Sequence, residues 1–189
     1  MSATTAPQHR EDGPPPMPAD FSTLYEQHVS FVWANCRRLG VQPSQIDDAV
    51  QDVFLAVYRR LPEFRGEASF KTWLFHFVLR VAATYRRSVK ANQRRVDAQA
   101  LEPVGPSGTP ELVVEGRQAT ELMYRMLEQL SEERRELFVL VELEDVSVAD
   151  AAKVLQLNLN TAHSRLRDAR RDFEQAVARE EAREEWRTR

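Results

Sequence analysis

The sequence predicts an all-α protein of two small helical domains joined by a flexible linker. Apolar side chains recur every three or four residues, few stretches alternate apolar with polar residues, and the 189 residues include only six glycines. Prolines and glycines gather between two such helical stretches, where they indicate a linker. We expect five segments: a disordered tail at 1–20, a first domain at 21–95, a linker at 96–117, a second domain at 118–178 and a charged tail at 179–189.

Composition excludes several classes of protein. The single cysteine, Cys36, cannot supply a disulfide framework or a multi-cysteine zinc site, and we expect it to be buried. The proline-rich N-terminus lacks a basic start followed by an apolar run, and no segment is long enough to cross a bilayer. The sequence shows no nucleophile–base pair, phosphate-binding loop or metal-ligand cluster. We therefore expect a cytoplasmic protein that does not insert into a membrane, is not an enzyme, and uses no cofactor or metal.

An amphipathic helix is predicted from Pro43 or Ser44 to about Leu61, with a regularly spaced apolar face for the core. The opposite face carries Asp48, Gln51, Asp52 and Leu55. An apolar leucine among carboxylates suggests a protein partner that carries basic residues. A solvated acidic face with an isolated leucine would give the same pattern.

A loop containing Gly66 leads into the next predicted helix, for which Ser69 is a suitable N-cap. The stretch 64–74 combines aromatic rings with cations, as in sites that stack unpaired bases, although an amphipathic core helix with a basic end would also fit. We expect the core face to carry Phe70, Trp73, Leu74 and Phe77. A different face carries His76, Arg80 and Arg87, in a run of cations that includes Arg86, and we interpret that face as a candidate phosphate track.

The second domain contains a predicted pair of helices joined by a short turn. Ser131 is expected to start one helix, and Ser147 with Asp150 fits a capping box at the start of another. Residues 156–158 then form a turn, and Asn158 caps a longer helix with a core face that starts at Leu159. Its outer face and flanks carry Asn160, Ser164, Arg165, Arg167, Arg170 and Arg171. The pair is typical of a helix-turn-helix with a second helix able to enter the major groove, and a plain helical hairpin is the alternative.

Taken in order, these motifs resemble the bacterial RNA polymerase sigma factors of the extracytoplasmic-function (ECF) class. The resembling segments are 21–40 (opening helix), 47–54 (polymerase-clamp-binding helix), 64–74 (promoter-melting loop and helix) and 147–170 (helix-turn-helix that reads the −35 element). The resemblance implies a sigma-2-like helical bundle and a sigma-4-like helix-turn-helix domain. It also implies three partners: core RNA polymerase, contacted at the β′ clamp by the first domain and at the β flap by the second; promoter DNA; and an anti-sigma protein, often membrane-anchored. Such a protein acts at the nucleoid.

The resemblance also implies a role for each matching position. Asp48, Gln51, Asp52 and Leu55 would face the β′ clamp. The loop that captures an extruded −10 base would consist of Arg65, Gly66, Glu67, Ala68 and Ser69, with His76, Arg80 and Arg87 along that strand. Contacts to the −35 duplex would come from His163, Ser164, Arg165, Arg167, Arg170 and Arg171.

Some positions depart from the family's pattern. Arg80 stands where many relatives have asparagine, and His76 where arginine is frequent. His163 and Asp168 stand where basic residues are frequent, and Asn160 where glycine is frequent. Because Asp168 should repel phosphate, we expect altered readout of the −35 element. Two other classes remain open: a helix-turn-helix regulator that binds an operator without opening DNA, and a helical adaptor with no DNA role.

Overall fold

The computed structural model describes residues 21–96 and 114–187, and all regular elements in these two ranges are helical. The helices are α1 Phe21–Arg38, α2 Ile46–Arg60, α3 Phe70–Val96, α4 Val114–Glu128, α5 Glu132–Phe138, α6 Val148–Val154 and α7 Leu159–Arg187. Short 3-10 turns at Pro43–Gln45 and Leu61–Glu63 flank α2, and a π-helical turn at Val139–Leu143 extends α5. The predicted all-α class is confirmed. The predicted tail at 1–20 and most of the predicted linker lie outside the described residues.

Helices α1, α2 and α3 pack on one another and form the first module. The apolar face of α2 is buried as its spacing predicts, with Val53 and Val57 fully inaccessible. Cys36 of α1 is also fully buried, and this burial raises the pKa of its thiol to about 12. The thiol is therefore uncharged and shielded at neutral pH, which agrees with the predicted packing role.

The aromatic residues around the loop at 65–69 form a packed cluster. The ring centroids of Phe64 and Phe70 are 5.4 Å apart, and those of Trp73 and Phe77 are 4.7 Å apart. Ser69 caps α3, because its Oγ accepts a hydrogen bond from the backbone N–H of Thr72 at 3.1 Å. These rings pack in the core and hold both ends of the loop in place. For the aromatic residues of 64–74, the alternative of a core helix is therefore the one observed, and not a surface for stacking bases.

Helices α4 to α7 form the second module, in which the predicted helix-turn-helix consists of α6 and α7. Ser147 accepts a hydrogen bond from the N–H of Asp150 at 3.1 Å, and Asn158 accepts one from the N–H of Thr161 at 2.7 Å. Gln156 has a φ of 55°, a left-handed conformation that glycine adopts more easily. Leu159 differs from its prediction, since it is 48% exposed in the first turn of α7.

The two modules pack against each other, an arrangement that the sequence did not predict. Arg86 of α3 is only 7% exposed and donates hydrogen bonds to the carbonyl oxygen of Leu39 at 2.7 Å and to Glu136 of α5 at 2.8 Å. Most buried apolar residues of both modules belong to one continuous cluster. Arg86 therefore lies inside the protein and is not part of the exposed cationic run in which the sequence placed it.

Alanine substitutions at two leucines of the first module compare a buried position with an exposed one. We expect Leu74→Ala, at a fully buried position, to lower the free energy of unfolding by about 2–5 kcal/mol, since it leaves a cavity. Leu55→Ala, at a position 46% exposed, should change it by less than about 0.5 kcal/mol. Urea unfolding followed by circular dichroism measures both; equal losses would contradict the placement of the two side chains.

Candidate polymerase- and DNA-binding surfaces

The outer face of α2 presents the four residues predicted to meet a protein partner. Asp48, Gln51, Asp52 and Leu55 are all exposed on this one face. The Tyr85 hydroxyl of α3 donates a hydrogen bond to Asp52 at 2.9 Å. Burial, and then this hydrogen bond, raises the pKa of Tyr85 to about 12, so the phenol remains a donor at neutral pH. The structure thus brings the four together and fixes one carboxylate.

An apolar groove, which sequence reasoning missed, lies beside this face between α1 and α2. It has a volume of about 640 Å³, and the exposed side chains in its wall include Tyr25, Trp33, Leu55 and Tyr58. The signal was available, because Phe21, Tyr25, Val29 and Trp33 follow one another at four-residue spacing along α1. Exposed aromatic side chains in a groove are typical of protein-binding surfaces.

The loop at 65–69 joins α2 to α3 and is largely exposed. Gly66 has a φ of 72°, a conformation that permits the tight turn. The loop leaves its backbone and small side chains at the surface, between the aromatic cluster and the N-terminus of α3. A flipped base could approach closely at such a place.

His76, Arg80 and Arg87 are exposed on one face of α3, the helix that follows this loop. Arg80 and Arg87 line a groove of about 750 Å³ between α2 and α3, together with Arg59, a cation that the sequence analysis did not assign to DNA. Among the described residues, none of these three arginines has a carboxylate partner in an ion pair. Burial, and then the nearby charge of Arg80, lowers the pKa of His76, so its imidazole is neutral at pH 7.

The cations on the outer face of α7 differ in whether they form an ion pair. Arg165 pairs with Glu133 at 3.1 Å and Arg170 with Glu142 at 2.7 Å, both carboxylates of the same module. His163 and Arg167 are exposed, and the described residues include no acid paired with either. Ser164 donates its hydroxyl to the carbonyl oxygen of Thr161 at 3.1 Å.

Asp168 is held by cations of its own module. Its carboxylate lies 3.6 Å from Arg134 and 3.1 Å from Arg171, a residue predicted to contact DNA. Its negative charge is therefore partly balanced, and its repulsion of phosphate is smaller than the sequence alone suggested.

Two further properties concern the residues that the structure describes. No helix among them is long and apolar enough to span a membrane. Nor do they bring together three or more histidine, cysteine, aspartate or glutamate side chains that could hold a metal ion.

Comparison with protein families assigns both modules. The family model for sigma-70 region 2 matches residues 24–92, and the model for sigma-70 region 4 matches residues 120–173. The first match includes the α2 face, the loop and the cationic face of α3, and the second includes the helix-turn-helix. The chain therefore belongs to the sigma-70 family of RNA polymerase sigma factors, which direct the polymerase in transcription.

Individual relatives place the chain in the ECF class of that family. It is 28% identical over 145 residues to the ECF RNA polymerase sigma-E factor of Escherichia coli K12, covering 72% of this chain and 76% of the relative. The corresponding factor of Haemophilus influenzae is 29% identical over 146 residues, covering 72% and 77%.

Solved structures share the fold. The sigma factor RpoE of Bartonella quintana, in complex with the anti-sigma factor NepR, matches with a TM-score of 0.66 at 20% identity, covering 84% of this chain and 97% of that one. CnrH in complex with the cytosolic domain of CnrY matches with a TM-score of 0.61 at 23% identity, covering 84% and 87%.

Proposed function

We propose that this sigma factor binds core RNA polymerase, directs it to specific promoters and helps to open the −10 region. The observation that carries the proposal is that one chain contains both sigma-70 regions. The module that matches region 2 also exposes an acidic and apolar face on α2 and a cationic face on α3. A regulator that only binds an operator needs the helix-turn-helix alone. Operator binding alone would not require the two exposed faces of the first module.

The α2 face is the proposed site for the β′ clamp. Asp48 and Asp52 would pair with basic residues of the clamp, while Leu55 and the neighbouring aromatic groove would bury apolar surface. The second module would contact the β flap, as the family resemblance implies. The protein acts through binding, with no catalytic step of its own.

The loop at 65–69 and the cationic face of α3 are the proposed site for −10 DNA. Opening ten base-pair steps costs on the order of 14 kcal/mol at a mean of about 1.4 kcal/mol each. Stacking two or three captured bases returns about 1–3 kcal/mol for each base, at most about half of that cost. Because the chain has a net charge of −3, it cannot supply the remainder alone. Core polymerase must contribute the other contacts.

Helix α7 is the proposed reader of the −35 element. His163 and Arg167, which have no acidic partner among the described residues, are available for base edges. Arg165, Arg170 and Arg171 already pair with carboxylates of the same module, so binding DNA would exchange those partners for phosphates. Ser164 lies on the same exposed side. This exchange makes −35 binding sensitive to salt.

An anti-sigma protein is the proposed negative regulator. Of the two solved structures, the sigma factor RpoE was captured with the anti-sigma factor NepR, and CnrH with the cytosolic domain of CnrY. A membrane-anchored anti-sigma protein would hold the factor away from the nucleoid, and release would let it act on DNA in the cytoplasm.

The α2 face gives the first test. We expect Asp48→Ala combined with Asp52→Ala to weaken binding to core polymerase by at least about 2 kcal/mol, roughly thirtyfold in Kd, since basic groups of the clamp lose their partners. Surface plasmon resonance with immobilised core enzyme measures the change. The control is Glu174→Ala with Glu181→Ala, which removes two exposed acids of α7 and changes net charge equally. An operator-binding regulator predicts no effect in either variant.

Run-off transcription tests the complete proposal. Core polymerase with this protein should initiate at discrete sites on a genomic template library, and core alone should not. Sequencing the 5′ ends would give the −10 and −35 elements. If no initiation depends on the added protein, the proposed function is wrong.

A further inference from the structure

The two acids proposed to meet the polymerase clamp differ in their surroundings. Asp48 and Asp52 are both exposed on the outer face of α2, one helical turn apart. The Tyr85 hydroxyl of α3 donates a hydrogen bond to Oδ2 of Asp52 at 2.9 Å. No described residue forms a side-chain hydrogen bond or an ion pair with Asp48. One carboxylate is therefore restrained by a neighbouring helix, and the other is not.

The donor to Asp52 is neutral, so it restrains the carboxylate without removing its charge. Burial, and then the hydrogen bond itself, raises the pKa of Tyr85 to about 12, and the phenol stays protonated at neutral pH. No cation in the described ranges forms an ion pair with Asp52. Asp168 of α7 differs, because Arg134 and Arg171 balance its charge. A carboxylate has about four acceptor sites, so Asp52 can accept from Tyr85 and from a partner's cation at the same time.

Tyr85 is held in place by its own packing. Its side chain is half-buried and packs against the hydrophobic core. Helices α2 and α3 pack on each other, and Asp52, Leu55 and Tyr85 all line the groove of about 750 Å³ between them. The phenol therefore keeps a constant position relative to the outer face of α2.

A side chain that is restrained in the free protein loses less freedom when it binds. Immobilising one flexible side chain at an interface weakens binding by about twofold to tenfold in Kd. Because Tyr85 limits the rotamers of Asp52, part of this loss has already occurred before the polymerase arrives. The contribution of Asp52 to affinity should therefore depend on the Tyr85 hydroxyl, and that of Asp48 should not.

We propose that Tyr85 is a positioning residue for polymerase binding, which holds the Asp52 carboxylate where a cation of the β′ clamp meets it. Tyr85 acts through Asp52 and is not itself a contact of the clamp. Since Tyr85 belongs to α3, which carries the proposed −10 contacts, the hydrogen bond also links the polymerase-binding helix to the DNA-binding helix. The inference rests on the proposed function, because it assumes that the outer face of α2 binds the clamp.

Tyr85→Phe in the full-length chain tests the proposal. It removes the hydroxyl and keeps the ring in the core, and we expect it to weaken binding to immobilised core polymerase by about fivefold in Kd. Surface plasmon resonance measures the change. Ser88→Ala is the matched control, because it removes an exposed hydroxyl one turn further along α3 that bonds only the carbonyl oxygen of Tyr85. It should leave the Kd unchanged.

Two double-mutant cycles separate positioning from a general effect on the fold. In an Asp52→Ala background, Tyr85→Phe should have no further effect, because the carboxylate that it would release is absent. In an Asp48→Ala background, it should still weaken binding by about fivefold. A merely structural role of Tyr85 would weaken binding equally in both backgrounds.

The outcomes distinguish this inference from the proposed function. If Tyr85→Phe leaves core binding unchanged or tightens it, or has the same effect with and without Asp52, the positioning role is overturned while the sigma function stands. If the wild-type chain does not bind core polymerase, the proposed function fails, and the positioning role fails with it.

Discussion

Buried arginines at the junction of the two modules constrain the rest of the structure. A guanidinium taken out of water must have hydrogen-bond acceptors, and most of those available here belong to other helices or their turns. Arg135 of α5 donates to the carbonyl oxygens of Glu128 and Leu130 at 3.0 and 3.1 Å, and burial lowers its pKa. It also lies so close to Gly40, which has a φ of 87°, that a side chain there would overlap it. The end of α1, α3, α4 and α5 are thereby fixed around one polar seam.

The seam determines which surfaces remain free. The two grooves beside α2 are lined by residues of the first module alone, whereas the loop at 65–69 borders a cleft that residues 144–147 of the second module also line. The helix-turn-helix is exposed on its outer side, but several of its arginines already have acidic partners. The proposed contacts to polymerase and to DNA therefore differ in what they require: the α2 face is already exposed, whereas the paired arginines of α7 must first exchange their acidic partners for phosphates.

Local features were predictable from the sequence, and contacts between distant segments were not. Helical spacing placed Val53 and Leu74 in the core, and capping residues such as Ser147 and Asn158 located helix starts, because these signals act within one turn. The contact of Asn35 with Glu144 joins residues 109 positions apart and leaves no periodic trace. Arg86 is an example: the sequence places its charge in a run of cations, and its burial follows only from the packing of the two modules. The role of Arg59 was missed because its groove combines residues of α2 and α3. The aromatic face of α1 did leave a four-residue spacing in the sequence, but its groove forms only where α2 packs beside it.

The two modules pack together in the free protein, and the proposed binding to the −10 and −35 elements requires their separation. Double electron–electron resonance between spin labels at Ser30→Cys of α1 and Ala149→Cys of α6 measures it directly, since both positions are exposed and the native Cys36 is buried. We expect one short distance in the free protein, within about 30 Å, the diameter of a small domain. In an initiation-competent complex with core polymerase and promoter DNA, the distance should increase at least roughly twofold, since the two elements lie about 85 Å apart. An unchanged short distance in that active complex would contradict the proposed separation of the modules.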